Sequence, residues 1–445
     1  MAEKTNGSNG VISLPCGKGS VKLQIPEKSR QMAGINYPQE LCEPNAAFED
    51  AVAAPVGFTS LANLVEDKKV CLILADATRS EPHHAYVDAC LPRFTGAKSV
   101  TAVIATGSHE LESSGNLEII EGFRKAAAKM EIPAEISIHD CHSPDLVNLG
   151  RTTRSTIVAA NPDALSCDVF VVASDMKNHY FAGYSNALKA FLPGISSFNS
   201  IEGNHSLALK PSSTFGRHPW HPDPARRFNP VALDMMEAWK MIAGSRPCFV
   251  LGSITTENGV LWAGAGEMQE VVCEGIKRVD AFASCHREPR SRVIVAPGSD
   301  PQDETLYNAQ RGLELAKNCI RESGEVLLLA ACRKGVATTH EARENFYDRL
   351  TAPIPEVLAG LKENYVLYSH KAYKFARLLQ KLKAVYLHSE LDPETVRAAH
   401  LSPVQDPQKV VDRWQEESDE PILVVKDANK VALYPKPESE RNVPQ

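Results

Sequence analysis

The sequence predicts an α/β protein of two α/β domains with mainly parallel sheets and an interdomain cleft. Three observations carry that prediction. Apolar runs of strand length recur at 70–75, 100–105 and 169–173; a run without polar alternation is buried on both faces, as in a parallel sheet. Between the second and third runs, 117–130 carries Leu117, Ile120, Phe123 and Ala127 at helical spacing, which makes it a crossover helix. Finally, 445 residues exceed the length at which a single core usually stops growing.

Residues 21–25 alternate like a half-buried strand. Each of the three apolar runs then ends in a polar group: the first at Asp76, the second at Thr106-Gly107-Ser108-His109, the third at Ser174-Asp175. Ligands of parallel sheets bind beyond the carboxyl ends of the strands, so these clusters are where chemistry is expected. A second unit is expected from near Arg290, with a strand at 293–296, a helix at 305–320 striped by Leu306, Ala309, Leu313 and Ala316, and a strand at 326–331. The extended run 422–425 follows a helical pattern at 410–414 and is expected to return to the first domain. The resulting boundaries are 1–285 for an N-terminal domain completed by 395–445, and 286–394 for a C-terminal domain.

Composition narrows the function. A formal charge of -7 leaves no surplus of Lys and Arg for a phosphate backbone, which argues against nucleic acid as a partner. No apolar run approaches the roughly 20 residues that span a bilayer, and the start MAEKTNGSNG is too polar for a secretory signal, so no membrane partner and a cytoplasmic location are expected. The 11 Cys include no CxxC pair, which favours neither a disulfide framework nor a Cys-rich zinc site.

The segment richest in candidate groups runs over 175–195 and is followed by His205. Gly183 and Lys189 have the spacing of a phosphate loop, but Leu188 stands where the second glycine is needed and Ala190 offers no hydroxyl for magnesium. Spacing alone leaves Lys189 open as a nucleophile, a charge clamp or a surface residue. His109, His179 and His205 lie at or beyond strand ends, without the spacing of a four-ligand zinc site. His139, Asp140, His142 and Asp145 read equally as metal ligands or as an exposed loop. Asp76, Thr78 and Arg79 supply a carboxylate, a hydroxyl and a guanidinium, the last suited to bidentate recognition of a carboxylate, and the pair Asp76 and Arg79 reads equally as a local salt bridge.

In joint order and spacing, Asp76-Ala77-Thr78-Arg79, Gly107-Ser108-His109, His179-Tyr180-Phe181-Ala182-Gly183, and Lys189 followed by Leu192-Pro193-Gly194-Ile195 and His205 resemble the nickel-pincer-nucleotide lactate racemase family of 2-hydroxy acid racemases and epimerases. The resemblance runs along most of the chain. It implies a nickel-pincer nucleotide tethered to Lys189, with nickel held by the cofactor's own donors and by His205. It implies His109 and His179 as general bases on opposite faces of the substrate carbon, Arg79 as carboxylate clamp, and Asp76 and Thr78 as residues that position the cofactor. It further implies a small 2-hydroxy acid substrate met by Tyr307, Asn308 and Arg311, and dependence on cofactor-forming enzymes as partners. Asn186 and Ala187 stand where the family's glycines are expected, and Asn308 and Arg311 where Gln and Lys are expected, which puts lactate itself in question. Two other classes stay open. One is a dehydrogenase or metal-dependent lyase, although no GxGxxG follows the early strands; the other is a non-catalytic two-lobed binding protein.

Overall fold

The computed structural model describes residues 10–38, 40–79 and 81–436. The chain divides into two compact units, Tyr37–Ala281 and a split unit made of Met1–Asn36 with Phe282–Gln445.

Tyr37–Ala281 is built on a six-stranded sheet in the order Gly259–Glu267, Cys248–Thr256, Val169–Asp175, Lys69–Ala75, Ser99–Ala105, Ala134–Ile138. All neighbours are parallel except the first pair. The expected two-sided burial holds: Val70, Leu72 and Leu74 on one face and Cys71 and Ile73 on the other are each 1% exposed or less. Chain order runs outward from Lys69–Ala75 in one direction and then resumes on its other side with Val169–Asp175. This is a topological switch point, where the crossovers diverge and leave a crevice at the strand ends. Asp76 follows one of the two strands that meet there, and Asp175 ends the other. Ala75 lies opposite Ala105, so the turns after those two strands emerge at one level.

The expected crossover helix forms over Ser114–Lys129, capped by the Ser113 hydroxyl accepting from the amide of Asn116. Its buried stripe is Asn116, Ile119, Ile120, Phe123 and Ala127, while Leu117 is 53% exposed. Three of the four expected stripe residues are thus buried, and Asn116 takes the place of Leu117 at the start of the stripe. The physical reason is Asn116, whose side-chain oxygen accepts from the amide of Ala77 (2.9 Å) and whose nitrogen donates to the Leu111 carbonyl (3.1 Å). A buried amide that satisfies two backbone groups outweighs the burial of one more leucine.

The split unit carries a second six-stranded sheet, wholly parallel, in the order Ser402–Pro403, Ala384–His388, Ile320–Leu329, Arg290–Val295, Ile422–Val425, Arg30–Ala33. The helix Leu306–Ala316 packs here, with Leu306, Ala309, Leu313 and Ala316 fully buried as the stripe predicts. Ile422–Val425 lies between Arg290–Val295 and Arg30–Ala33, which differs from its expected return to the first domain. All four of its residues are buried, so it needs an interior slot, and the split unit's sheet provides one. The unit boundary accordingly falls at Phe282 and the first 36 residues join the C-terminal part. No helix among the described residues is long and apolar enough to cross a membrane.

Candidate active site

The turn after Lys69–Ala75 sets the first group. Asp76 is 2% exposed, and one of its carboxylate oxygens accepts from the amide of Thr78 (2.8 Å). The other lies 3.0 Å from His109 Nδ1 and 3.8 Å from Arg79 Nε. Burial alone would raise this carboxyl, but the hydrogen bond and charge of His109, with Arg79 and Thr78, outweigh it and hold it well below the usual carboxylate range. The ionised Asp76 carboxylate accepts from His109 Nδ1–H, so Nε2 is the acceptor nitrogen of the ring and Arg79 donates to it. Arg79 Nη2 lies 3.4 Å from that Nε2, and the Thr78 hydroxyl 3.3 Å from Nδ1. An imidazole and a guanidinium thus share one spot, each about one-third exposed.

The second group comes from a hairpin. Lys177–His179 pairs antiparallel with Gly183–Ser185, setting His179 opposite Gly183. Gly183 has φ +83°, and a Cβ there would stand 1.8 Å from the Arg217 carbonyl oxygen, so only glycine closes this turn. The amide of Ala182 donates to His179 Nδ1 (3.2 Å), a bond that opposes a proton on that nitrogen. The Phe181 ring then links two sequence-predicted histidines, 4.5 Å from the His179 ring and 5.2 Å from that of His205.

Lys189 follows a turn held by Asn186, whose side-chain oxygen accepts from the amide of Leu188 (2.9 Å) and whose nitrogen lies 3.3 Å from His218 Nε2. His205 sits in the last turn of the helix Phe198–Ser206. Desolvation, then the charges of Lys189, Arg79 and His109, push its imidazole down to about 3. It is neutral across the physiological range, as a metal ligand must be. Among the described residues no three His, Cys, Asp or Glu side chains form a metal-holding group, so a nickel ion at His205 needs donors from a bound cofactor. A neutral imidazole with an amine-bearing Lys189 in its electrostatic neighbourhood fits such a group.

Asp76, Thr78, Arg79, His109, His179, Lys189 and His205 therefore all belong to Tyr37–Ala281, whereas Tyr307, Asn308 and Arg311 lie on the helix Leu306–Ala316 of the split unit. The Asn308 side-chain nitrogen donates to the Pro301 carbonyl (3.2 Å), and its amide is capped by Thr305. Among the described residues His139, Asp140, His142 and Asp145 form no metal-holding group, and the segment is not simply an exposed loop. His139 is fully buried, its Nε2 bonded to the Ser196 carbonyl (3.0 Å) and its own carbonyl accepting from the Thr106 hydroxyl, while exposed His142 stacks on Phe198.

Sequence reasoning missed the residues behind the site. Asp280, 54 residues beyond Arg226, ties that guanidinium (2.6 Å) and the Tyr184 hydroxyl (2.7 Å) to the hairpin. Desolvation and the neighbouring Asp175 carboxylate push the Glu81 carboxyl up to about 8, and its oxygen accepts from the amide of Asp175 (3.2 Å). No local spacing links these residues, since they meet only through the fold.

Residues 16–216 match the lactate racemase N-terminal domain and residues 286–433 the lactate racemase C-terminal domain. The chain is 23% identical over 418 residues to a lactate racemase of Thermoanaerobacterium thermosaccharolyticum, covering 89% of this chain and 92% of the relative. It is 22% identical over 411 residues to a lactate racemase of Lactiplantibacillus plantarum, covering 88% and 91%. Among solved structures, the lactate racemase apoprotein from Thermoanaerobacterium thermosaccharolyticum superimposes with a TM-score of 0.82 at 21% identity, over 95% of this chain and 99% of that one. A Thermotoga maritima protein superimposes with a TM-score of 0.65 at 16% identity, over 89% and 100%. At these identities the solved structures establish the fold, and the two domain matches, in order and spanning most of the chain, establish that it belongs to the lactate racemase family.

Proposed function

We propose that this chain is an isomerase that inverts C2 of a small 2-hydroxy acid, using a nickel-pincer nucleotide tethered to Lys189 with His205 as the protein's nickel ligand. The observation that carries the reading is His109, oriented by Asp76 at 3.0 Å with Arg79 at 3.4 Å from its Nε2. Arg79 binds the substrate carboxylate in exchange for its bond to His109 Nε2, which frees that lone pair to meet the C2 hydroxyl. His109 Nε2 takes the hydroxyl proton, and the imidazolium that forms is held by the Asp76 carboxylate. His179 serves the opposite face, where a proton is returned to the oxygen. When bound, the cofactor supplies the acceptor and donor for the hydride at C2. Thr78 steadies the His109 ring, and Tyr307, Asn308 and Arg311 are the further residues we assign to the substrate.

The test separates loading from chemistry, with protein made alongside the cofactor-forming enzymes. By intact mass, Lys189→Ala is expected to carry no cofactor, while His205→Ala loads but retains less nickel on dialysis. His109→Ala and His179→Ala load normally and lose about 10² to 10⁴ fold in inversion rate. Losses below about tenfold for both histidines, or inversion by protein with an unmodified Lys189, would overturn the reading.

A further inference from the structure

The helix Ser369–Leu379 of the split unit begins after Tyr368, whose φ is +74°, and sets Lys371 in its first turn. Lys371 is 4% exposed. Its ammonium lies 3.1 Å from the ring centroid of Tyr307 and donates to the Tyr307 carbonyl at 2.8 Å. Two aromatic edges complete the enclosure, Phe346 at 5.5 Å and 79° and Tyr368 at 6.1 Å and 74°. A lysine is rarely buried without a specific partner. This one also sits at the start of two helices, where their dipoles disfavour a cation, so helix electrostatics do not account for it. Its contacts include the face of one aromatic ring and the carbonyl of the same residue.

From this enclosure we infer that Lys371 is the positioning residue of Tyr307, fixing ring and backbone together so that the phenol is presented in one orientation. The inference rests on the reading of Tyr307 as a substrate residue and deepens it. Tyr307 opens its helix one residue after Leu306, where the chain is anchored by its amide to the Val336 carbonyl (2.9 Å). Its ring would otherwise turn about two torsions, and a clamp from a second helix removes that freedom before substrate arrives. An ammonium over the ring face also withdraws electron density from the phenol and strengthens its hydroxyl as a donor toward a substrate oxygen.

The first measurement uses the unaltered, cofactor-free chain, labelled with ¹³C-lysine. One lysine Cε methylene is expected to be shifted upfield by the ring current of Tyr307, and Tyr307→Leu should return it to the bulk position. An unaltered lysine spectrum with no such signal overturns the proposal. The second uses loaded enzyme. Lys371→Met should lower kcat/KM about tenfold, mostly in kcat, and Lys371→Arg should recover most of the loss; full activity in a folded Lys371→Met variant overturns it. Tyr307→Phe separates the two ideas. If it turns over like the parent while the lysine shift is present, the clamp stands and the substrate role of Tyr307 falls.

Discussion

Asp76 concentrates the chemistry of its turn in one carboxylate. It is buried, ionised and shared among His109, Arg79 and the Thr78 amide, so removing its charge should cost more than removing an exposed acid. Asp76→Asn keeps the shape but offers His109 an amide and no longer dictates its tautomer. We expect normal cofactor loading with at least a 10² fold loss of inversion, read from intact mass and polarimetry. Stability should follow the sign of the shift. A carboxyl held low in the native state contributes stability above its unfolded value near pH 4 and loses it as pH falls toward the native value. The gap in unfolding free energy between parent and Asp76→Asn should therefore be constant above about pH 5 and narrow below about pH 4; a gap that widens with acid would contradict the assignment. Gln310 is the opposite case: fully buried, with neither side-chain polar atom hydrogen-bonded within the described chain. An unmet buried amide costs about 1–3 kcal/mol, so Gln310→Met should raise the melting temperature, and a lowered one would show that the amide has a partner. Arg311, half-buried one residue further on, is the specificity candidate. Arg311→Lys should shift turnover toward lactate relative to malate or a sugar acid, and an unchanged ranking removes it from that role.

At the scale of elements, the site depends on turns as much as on strands. The hairpin carrying His179 closes only because Gly183 adopts φ +83° against the Arg217 carbonyl. Gly183→Ala adds both a left-handed penalty and a backbone clash, so it should lower the melting temperature and reduce loading at Lys189, measured by calorimetry and intact mass. The helix Ser114–Lys129 illustrates the limits of periodicity. Its existence and most of its buried face followed from apolar spacing, yet the first buried position went to Asn116, which reaches the amide of Ala77, and not to Leu117. The loop before Lys189 is similar: Asn186 stands where a flexible glycine was expected, and its bonds to the Leu188 amide and His218 replace flexibility with a fixed turn.

For the whole molecule, the consequential feature is that one unit is continuous in sequence and the other is not. Tyr37–Ala281 holds its own sheet and a core that includes Phe48, Leu72, Tyr86, Phe94, Phe123, Val171 and Phe249. Expressed alone it should fold cooperatively, and the cofactor-forming enzymes should still modify its Lys189; a chain without a cooperative melt would count against its independence. The fragment 282–436 should fare worse, since it leaves Ile422–Val425 without its neighbour Arg30–Ala33 and exposes an apolar strand edge. Adding residues 10–36 as a separate peptide should restore solubility.

Some of this was determined by the sequence itself. Unbroken apolar runs ending in Asp76, Thr106-Gly107-Ser108-His109 and Asp175 dictated buried parallel strands with polar ends, because such runs are stable only with both faces covered. The ordered set from Asp76 to His205 was legible as a family pattern for the same reason, since its members sit in the turns that those strands impose. Tertiary structure alone decided where long-range partners fall. The slot for Ile422–Val425, the pairing of Asp76 with His109 across 33 residues, and the seat of Lys371 over Tyr307 across 64 residues each join segments with no local periodicity in common. Local patterns record which face of an element is buried, but the identity of the group waiting on the other side is settled only when the chain has packed.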